Sequence, residues 1–132
     1  MRKMNQKGFT IIELLVVIVI IGILVALTLP NLFSAQARGR DTDRKNELKN
    51  LQQKLETHFN DNDEYPATLA GLNPAPSADE TTGPRQDAYT YTPAAVDGVD
   101  NQSYTLTATL ENDQDKDAVA GVFTLNSTNQ GN

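Results

Sequence analysis

The first long pattern in the chain is an almost unbroken apolar run. Residues 9–29 read FTIIELLVVIVIIGILVALTL and are polar only at Thr10, Glu13 and Thr28. As an α-helix rising about 1.5 Å per residue, this run extends roughly 31 Å, which matches a bilayer hydrocarbon core of about 30 Å. The pattern therefore predicts one membrane-spanning helix.

After Pro30 the pattern becomes that of an amphipathic helix. Residues 31–60 contain no proline and one glycine, and four apolar residues recur at helical spacing: Leu48, Leu51, Leu55 and Phe59. The turn-forming residues at 60–63 predict the end of this helix near Asn60. One face of residues 31–60 is thus expected to pack on the rest of the protein.

Alternation of apolar and polar residues predicts strands in the remaining chain. Tyrosine and threonine alternate over residues 89–92, and a clearer alternation covers residues 104–110, with a third candidate strand at 119–125. We predict an α+β fold, in which the second half of a long N-terminal helix packs on a small antiparallel sheet. The predicted segments are residues 1–8, 9–30, 31–60 and a β-rich head at 61–132.

Charge is distributed as unevenly as hydropathy. The 132-residue chain has a net charge of −6, but from residue 56 onward thirteen acidic residues stand against two basic ones. Such a surface repels phosphate, so no direct nucleic-acid binding by the head is expected. The basic stretch 38–54 is expected either beside lipid headgroups or on a solvated helix face, alternating with acidic residues.

The residues that most enzymes use for catalysis are scarce. The chain has no cysteine, which excludes disulfides and thiolate metal sites, and His58 is its only histidine. No nucleophile, base and orienting group recur in a pattern typical of catalysis. We therefore expect a protein that is not an enzyme and that has no transition-metal site at His58.

Three interpretations of the apolar run predict different mature N-termini. The run is a retained membrane helix, a secretory signal removed after Ala35-Gln36-Ala37, or a helix preceded by a short leader that is cut off. Signal peptides have shorter apolar regions, about 7 to 15 residues, and Glu13 interrupts this one. A carboxylate in a membrane helix costs several kcal/mol unless it is paired or reaches the interface. One interpretation is that Glu13 extends to headgroups near Lys7.

The sequence KGFTIIELL at residues 7–15, followed by the apolar run, resembles the N-terminal signature of type IV prepilins. The resemblance implies that a prepilin peptidase cuts between Gly8 and Phe9 and that Phe9 is then N-methylated. It also implies that Glu13 pairs with the N-terminal amine of a neighbouring subunit during assembly. Pro30 is expected to kink the helix, the alternative being that it simply ends the membrane-spanning part.

The resemblance implies a structural subunit of a pilus-like filament that serves adhesion, twitching motility or DNA uptake. The expected partners are copies of the chain or related pilins, the peptidase, an assembly platform, a motor, and membrane lipid before assembly. Arg2, Lys3 and Lys7 favour a cytoplasmic N-terminus in the precursor, with a cell-surface filament after assembly. A pseudopilin of a type II secretion system is the alternative within the family, and a membrane-tethered or secreted binding module is the alternative outside it.

A final pattern is a possible cation site between the last two predicted strands. Asp113, Asp115 and Asp117 place carboxylates at every second position, and calcium prefers such oxygen ligands. The spacing is not that of an EF-hand, although some pseudopilins carry a calcium loop in the head. The alternative is a solvated hairpin loop.

Overall fold

The computed structural model describes residues 8–127. Its elements are helix α1 (Ile11–Asn62), a short 3-10 helix (Leu69–Gly71), and strands β1 (Thr90–Val96), β2 (Val99–Thr109), β3 (Ala118–Val119) and β4 (Val122–Asn126). The predicted α+β class is confirmed. Most of the predicted leader, residues 1–7, lies outside the described residues.

The chain divides into two compact units, Met1–Ala35 and Gln36–Asn132. In the described part of the first unit, α1 exposes its apolar side chains on all sides, from Ile11 at 87 % to Leu29 at 42 %. By length and composition the helix is able to cross a membrane. Pro30 lies inside α1, which continues to Asn62, so the proline does not end the α-helix. The kink and the end of the membrane-spanning part at Pro30 both stay predictions.

The second unit, which we call the head, contains a four-stranded antiparallel sheet in the order β1-β2-β4-β3. The β1–β2 hairpin turns at Asp97 and Gly98, whose positive φ angles of 52° and 82° suit a tight two-residue turn. The third predicted strand, 119–125, is wrong as a single element. A turn at Ala120 and Gly121, with φ of 51° and 76°, divides it into β3 and β4. An alanine at a left-handed position gives little sequence signal of a turn.

The core of the head lies between α1 and the sheet. Leu48, Leu51 and Leu55 are at most 1 % exposed. They belong to one buried cluster with residues of β2 and β4: Tyr104, Leu106, Ala108 and Phe123. The predicted packing of the apolar helix stripe on the sheet is confirmed.

Among the described residues that pair regularly in the sheet, those on the side away from the core include no ionisable side chain. Residues paired across antiparallel strands point to the same side, and Thr107 of β2 lies between Thr90 of β1 and Thr124 of β4. We call this surface the threonine face. Its members are Thr90, Thr92, Ala94, Ser103, Thr105, Thr107, Thr109, Val119, Val122, Thr124 and Asn126.

Candidate functional site

The start of α1 is closed by a reciprocal pair of hydrogen bonds between Thr10 and Glu13. The Thr10 backbone N–H and hydroxyl donate to Glu13 Oε2 at 2.9 and 2.7 Å, and the Glu13 backbone N–H donates to Thr10 Oγ1 at 3.3 Å. This is a capping box, in which Ser or Thr precedes the helix and Glu follows three residues later. Sequence reasoning missed it, although the T-x-x-E spacing is readable directly from residues 10–13.

The capping box gives Glu13 a partner within the chain. Its negative charge lies at the helix N-terminus, where the helix dipole and the unpaired N–H groups favour an anion. Both Thr10 bonds end on Oε2, and within residues 8–127 no hydrogen bond is made to Oε1. The carboxylate is therefore held in position while one oxygen remains available to a donor from outside.

Two of the three residues predicted to act in assembly lie together. Phe9 and Glu13 border one shallow apolar depression of about 520 Å³, together with Ile12 and Val16. Pro30 is five helical turns further along α1 by spacing alone. Gly8 precedes the helix and has nothing within 4 Å of the position that a Cβ would take. The predicted cleavage junction between Gly8 and Phe9 thus lies in a segment that is not packed against the described residues.

In the head, a second polar cluster joins α1 to the loop that follows β2, residues 111–117. Asp41 accepts the backbone N–H groups of Glu111 and Asn112 at 2.8 and 2.9 Å. Arg44, 1 % exposed, donates to Asp41 at 2.9 Å, to Glu111 at 2.9 Å and to Asp87 at 2.7 Å. We call the contacts of Arg40, Asp41, Arg44 and Lys45 with this loop the head clamp.

Glu111 is the carboxylate that receives most cations in the head clamp. Arg40 donates to its two oxygens at 2.7 and 2.5 Å, and Arg85 lies 3.3 Å from Oε2. The hydrogen bonds from Arg40, which outweigh the effect of desolvation, and the one from Arg44 lower the pKa of Glu111 to about 2. Glu111 therefore stays ionised well into the acid range.

The loop predicted to bind calcium is held by Lys45. Its Nζ lies 2.6 and 2.7 Å from the two oxygens of Asp115 and 2.9 Å from Asp117. The hydrogen bond from Lys45 is the main cause of the lowered pKa of Asp115. Within residues 8–127 no three His, Cys, Asp or Glu side chains are grouped to hold a metal ion. This geometry gives the calcium site at Asp113, Asp115 and Asp117 no support, and the site stays a prediction.

Most cations of the basic stretch 38–54 form ion pairs within the head. Four of its cations pair with acidic residues of the head far away in sequence: Arg40, Arg44, Lys45 and Lys54. The interpretation of a solvated helix face is therefore wrong for Arg44 and Lys45, whose side chains are 1 % and 16 % exposed. A position of the stretch beside lipid headgroups stays a prediction. These cations and their carboxylate partners are 26 to 72 residues apart in the sequence. The pattern of charges within one segment therefore does not predict the pairs.

Two models of known protein families match the chain, one in its first unit and one mostly in its second. Residues 3–29 match the family model described as the prokaryotic N-terminal methylation motif, and residues 31–128 match the model described as type IV minor pilin ComP, DNA uptake sequence receptor. The first match contains the junction at Gly8 and Phe9 together with Glu13.

Several curated proteins are similar to the chain. The type II secretion system core protein G of Pseudomonas aeruginosa is 40 % identical over 72 residues, covering 54 % of this chain and 51 % of the relative. The corresponding protein of Aeromonas hydrophila is 38 % identical over 73 residues, covering 55 % and 51 %. The type IV major pilin protein PilA of Myxococcus xanthus is 37 % identical over 84 residues, covering 64 % and 38 %.

The chain thus spans about half the length, or less, of these curated relatives. The family models nevertheless cover the apolar helix and nearly all of the head, and the resemblance noted from residues 7–15 is confirmed. The chain belongs to the type IV pilin and pseudopilin family.

Proposed function

We propose that the chain is a structural subunit, not an enzyme, that polymerises through its N-terminal helix into a pilus-like filament. The observation that carries this proposal is the contrast in burial between the two units. Eighteen large apolar side chains from Phe9 to Phe33 are exposed, whereas the head has a buried core of its own. A fully apolar helix surface of this size must be covered by lipid or by other helices.

Processing explains the position of Glu13. A cut between Gly8 and Phe9 creates a cationic amine one helical turn from this carboxylate. Glu13 Oε1 is available to the amine of a neighbouring subunit, and a charge left unpaired among apolar helices is costly. Correct pairing then selects the axial register between neighbours, with Phe9 and Glu13 as the assembly pair and Pro30 as a point of bending.

The matched relatives support two kinds of filament. Their names include a type IV major pilin and several type II secretion core proteins, so a secretion pseudopilus is the second candidate. In either case the precursor lies in the cytoplasmic membrane with its N-terminus inside, and the head is exported. A prepilin peptidase, a platform protein and a motor are the partners of this pathway.

We also propose that the head does not bind DNA directly, although one matched model is described as a DNA uptake sequence receptor. Residues 36–132 contain sixteen acidic and eight basic residues. Five of the eight cations pair with carboxylates: Arg40, Arg44, Lys45, Lys54 and Arg85. Few cations remain to release counterions from phosphates. Gel-shift assays at low salt test this, and saturable binding of duplex DNA would contradict it.

The first experiment is the N-terminal sequence and intact mass of protein from native cells. A start at Phe9 with one added methyl group supports prepilin processing. A start at Arg38 would instead mean a conventional secreted domain, and an intact leader would mean a simple membrane anchor.

Assembly is tested by Glu13→Ala, which we expect to insert into the membrane normally but to give a much lower filament yield. Thr10→Val is the matched control, because it removes the hydroxyl of the capping box and keeps the Glu13 carboxylate. Filament yield is measured by high-speed sedimentation of sheared cell-surface material. A wild-type yield from Glu13→Ala would rule out the register role.

A further inference from the structure

The threonine face differs from the rest of the head in its charge. Residues 36–132 contain twenty-four Asp, Glu, Lys or Arg residues, yet none of the eleven positions of this face is ionisable. A head with this net negative charge repels another copy of itself wherever carboxylates of the two copies meet. The threonine face is a broad exception.

The face is also regular. Its central row is Thr90, Thr107 and Thr124 on three neighbouring strands, and the next row is Thr92, Thr105 and Asn126. Strands lie about 4.8 Å apart and alternate residues about 6.7 Å apart along a strand. Each threonine offers a methyl group for packing and a hydroxyl that both donates and accepts hydrogen bonds. Such a surface can pack against an identical one without burying a charge.

A second observation concerns exposed apolar side chains. Of the large hydrophobic residues exposed in the described part of the head, two of three lie on this face: Val119 at 83 % and Val122 at 37 %. They are paired with each other across β3 and β4. They extend the third row, next to Thr109, so the apolar and uncharged surfaces of the head are continuous.

We propose that the threonine face is a contact surface for a second copy of this chain. Two acidic heads repel each other wherever carboxylates face carboxylates, and like-charge juxtaposition costs several kcal/mol. Face-to-face packing of two threonine faces avoids this cost. It covers the exposed valines and lets hydroxyl groups of the two sheets hydrogen-bond to each other.

The threonine face is too small to hold two free copies together, and this limits where the contact forms. Four strands and three rows give roughly 350 Å² per copy, so a pair buries roughly 700 Å², below the 1,200 Å² or more of stable free dimers. The contact therefore requires copies that are held at high local concentration, on one membrane or in adjacent filaments. The inference rests on the proposed function in one respect only, which is that the N-terminal helix holds the copies close together in a membrane or a filament.

Cross-linking tests the contact, because the chain contains no cysteine and single-cysteine variants are labelled at one position. Thr107→Cys places a thiol at the centre of the face, and Ala75→Cys on an exposed loop is the control. Full-length protein in lipid vesicles is treated with a short bis-maleimide that spans about 10 Å, the spacing of packed sheets. We expect Thr107→Cys to dimerise at least about tenfold faster than Ala75→Cys. Equal rates would overturn the proposal.

A variant with an added charge provides a second test of the contact. Thr105→Glu, added to Thr107→Cys, places like charges across the contact and should slow cross-linking at least about tenfold. Ala75→Glu in the same background adds the same charge elsewhere and should leave the rate unchanged. An unchanged rate with Thr105→Glu would also overturn the proposal, provided that its unfolding midpoint equals that of the parent; otherwise Thr124→Glu replaces it and is judged by the same rates.

The two proposals fail in distinguishable ways. Cross-linking in vesicles requires no filament. Loss of the Thr107→Cys dimer with normal filaments overturns the contact alone. Absence of filaments in native cells with an intact dimer overturns the proposed function alone.

Discussion

The two units of this chain differ in whether their apolar side chains are buried and in how their charged groups are paired. In the N-terminal unit the apolar side chains are exposed, and the one carboxylate, Glu13, is held locally by Thr10. In the head the large apolar side chains are mostly buried, and the main ion pairs join residues far apart in sequence. The apolar side chains of the N-terminal unit are buried only when lipid or other helices cover them. The head buries most of its apolar side chains, and pairs most of its cations, within itself.

This difference shows which kind of change each unit tolerates. An exposed apolar helix has no internal packing to lose, so substitutions there are expected to act on membrane insertion or assembly. The head depends on a small core and on the head clamp, so substitutions there act on folding.

The largest effect is expected from a leucine-to-alanine substitution in the head, and the same substitution in the N-terminal unit is its control. Leu51→Ala removes a side chain that is 1 % exposed and should destabilise the head by about 3 kcal/mol. Leu24→Ala, at a position 58 % exposed, should change head stability by less than about 0.5 kcal/mol. Urea unfolding of the full chain in mild detergent, followed by near-ultraviolet circular dichroism of the four tyrosines, measures both. Equal losses would contradict the contrast in burial between the two positions.

The next effect tests the head clamp. Arg44→Met leaves Asp41 and Glu111 without a buried cation and should cost about 3 kcal/mol, since breaking a buried pair from one side is strongly destabilising. Lys49→Met removes an exposed cation from the same helix and should cost less than about 0.5 kcal/mol. The same unfolding measurement applies. If the two variants were equally stable, the clamp would contribute little to folding.

Acid should weaken the head through Glu111. Its pKa is lowered from 4.5 to about 2 by Arg40 and Arg44. The ionised group therefore contributes stability that is fully present above about pH 4.5 and is lost as the pH falls through about 2. Glu111→Gln should reduce the slope of unfolding free energy against pH in this window. A slope identical to that of the wild type would show that other carboxylates, such as Asp115, account for the acid sensitivity.

The smallest effect concerns calcium. Because Lys45 already pairs with both Asp115 and Asp117, we expect calcium to leave the unfolding temperature of the wild-type head unchanged. A rise would support the calcium site predicted at Asp113, Asp115 and Asp117. Lys45→Met is the informative variant, since a rise in this protein alone would show that the lysine occupies the position of a cation.

Local sequence was enough to predict the apolar helix, the helix stripe and two strands. These features depend on periodicity within one element, as in Leu48, Leu51 and Leu55 or in the alternation at 104–110. The division at Ala120 and Gly121 was missed because an alanine with positive φ has no strong local signature. The capping box, by contrast, has a purely local signature, T-x-x-E at residues 10–13, and requires no tertiary contact.

The sequence by itself determined where this protein is apolar, where it is acidic and which N-terminal motif it carries, because these properties belong to neighbouring residues. Only the tertiary structure decided what the cations of residues 38–54 do. Arg40, Arg44 and Lys45 meet Glu111 and Asp115 only after the sheet has folded back onto α1. The same step leaves the threonine face uncharged and not packed against any element of residues 8–127, since the sheet turns its tyrosines and leucines toward the helix and its threonines away.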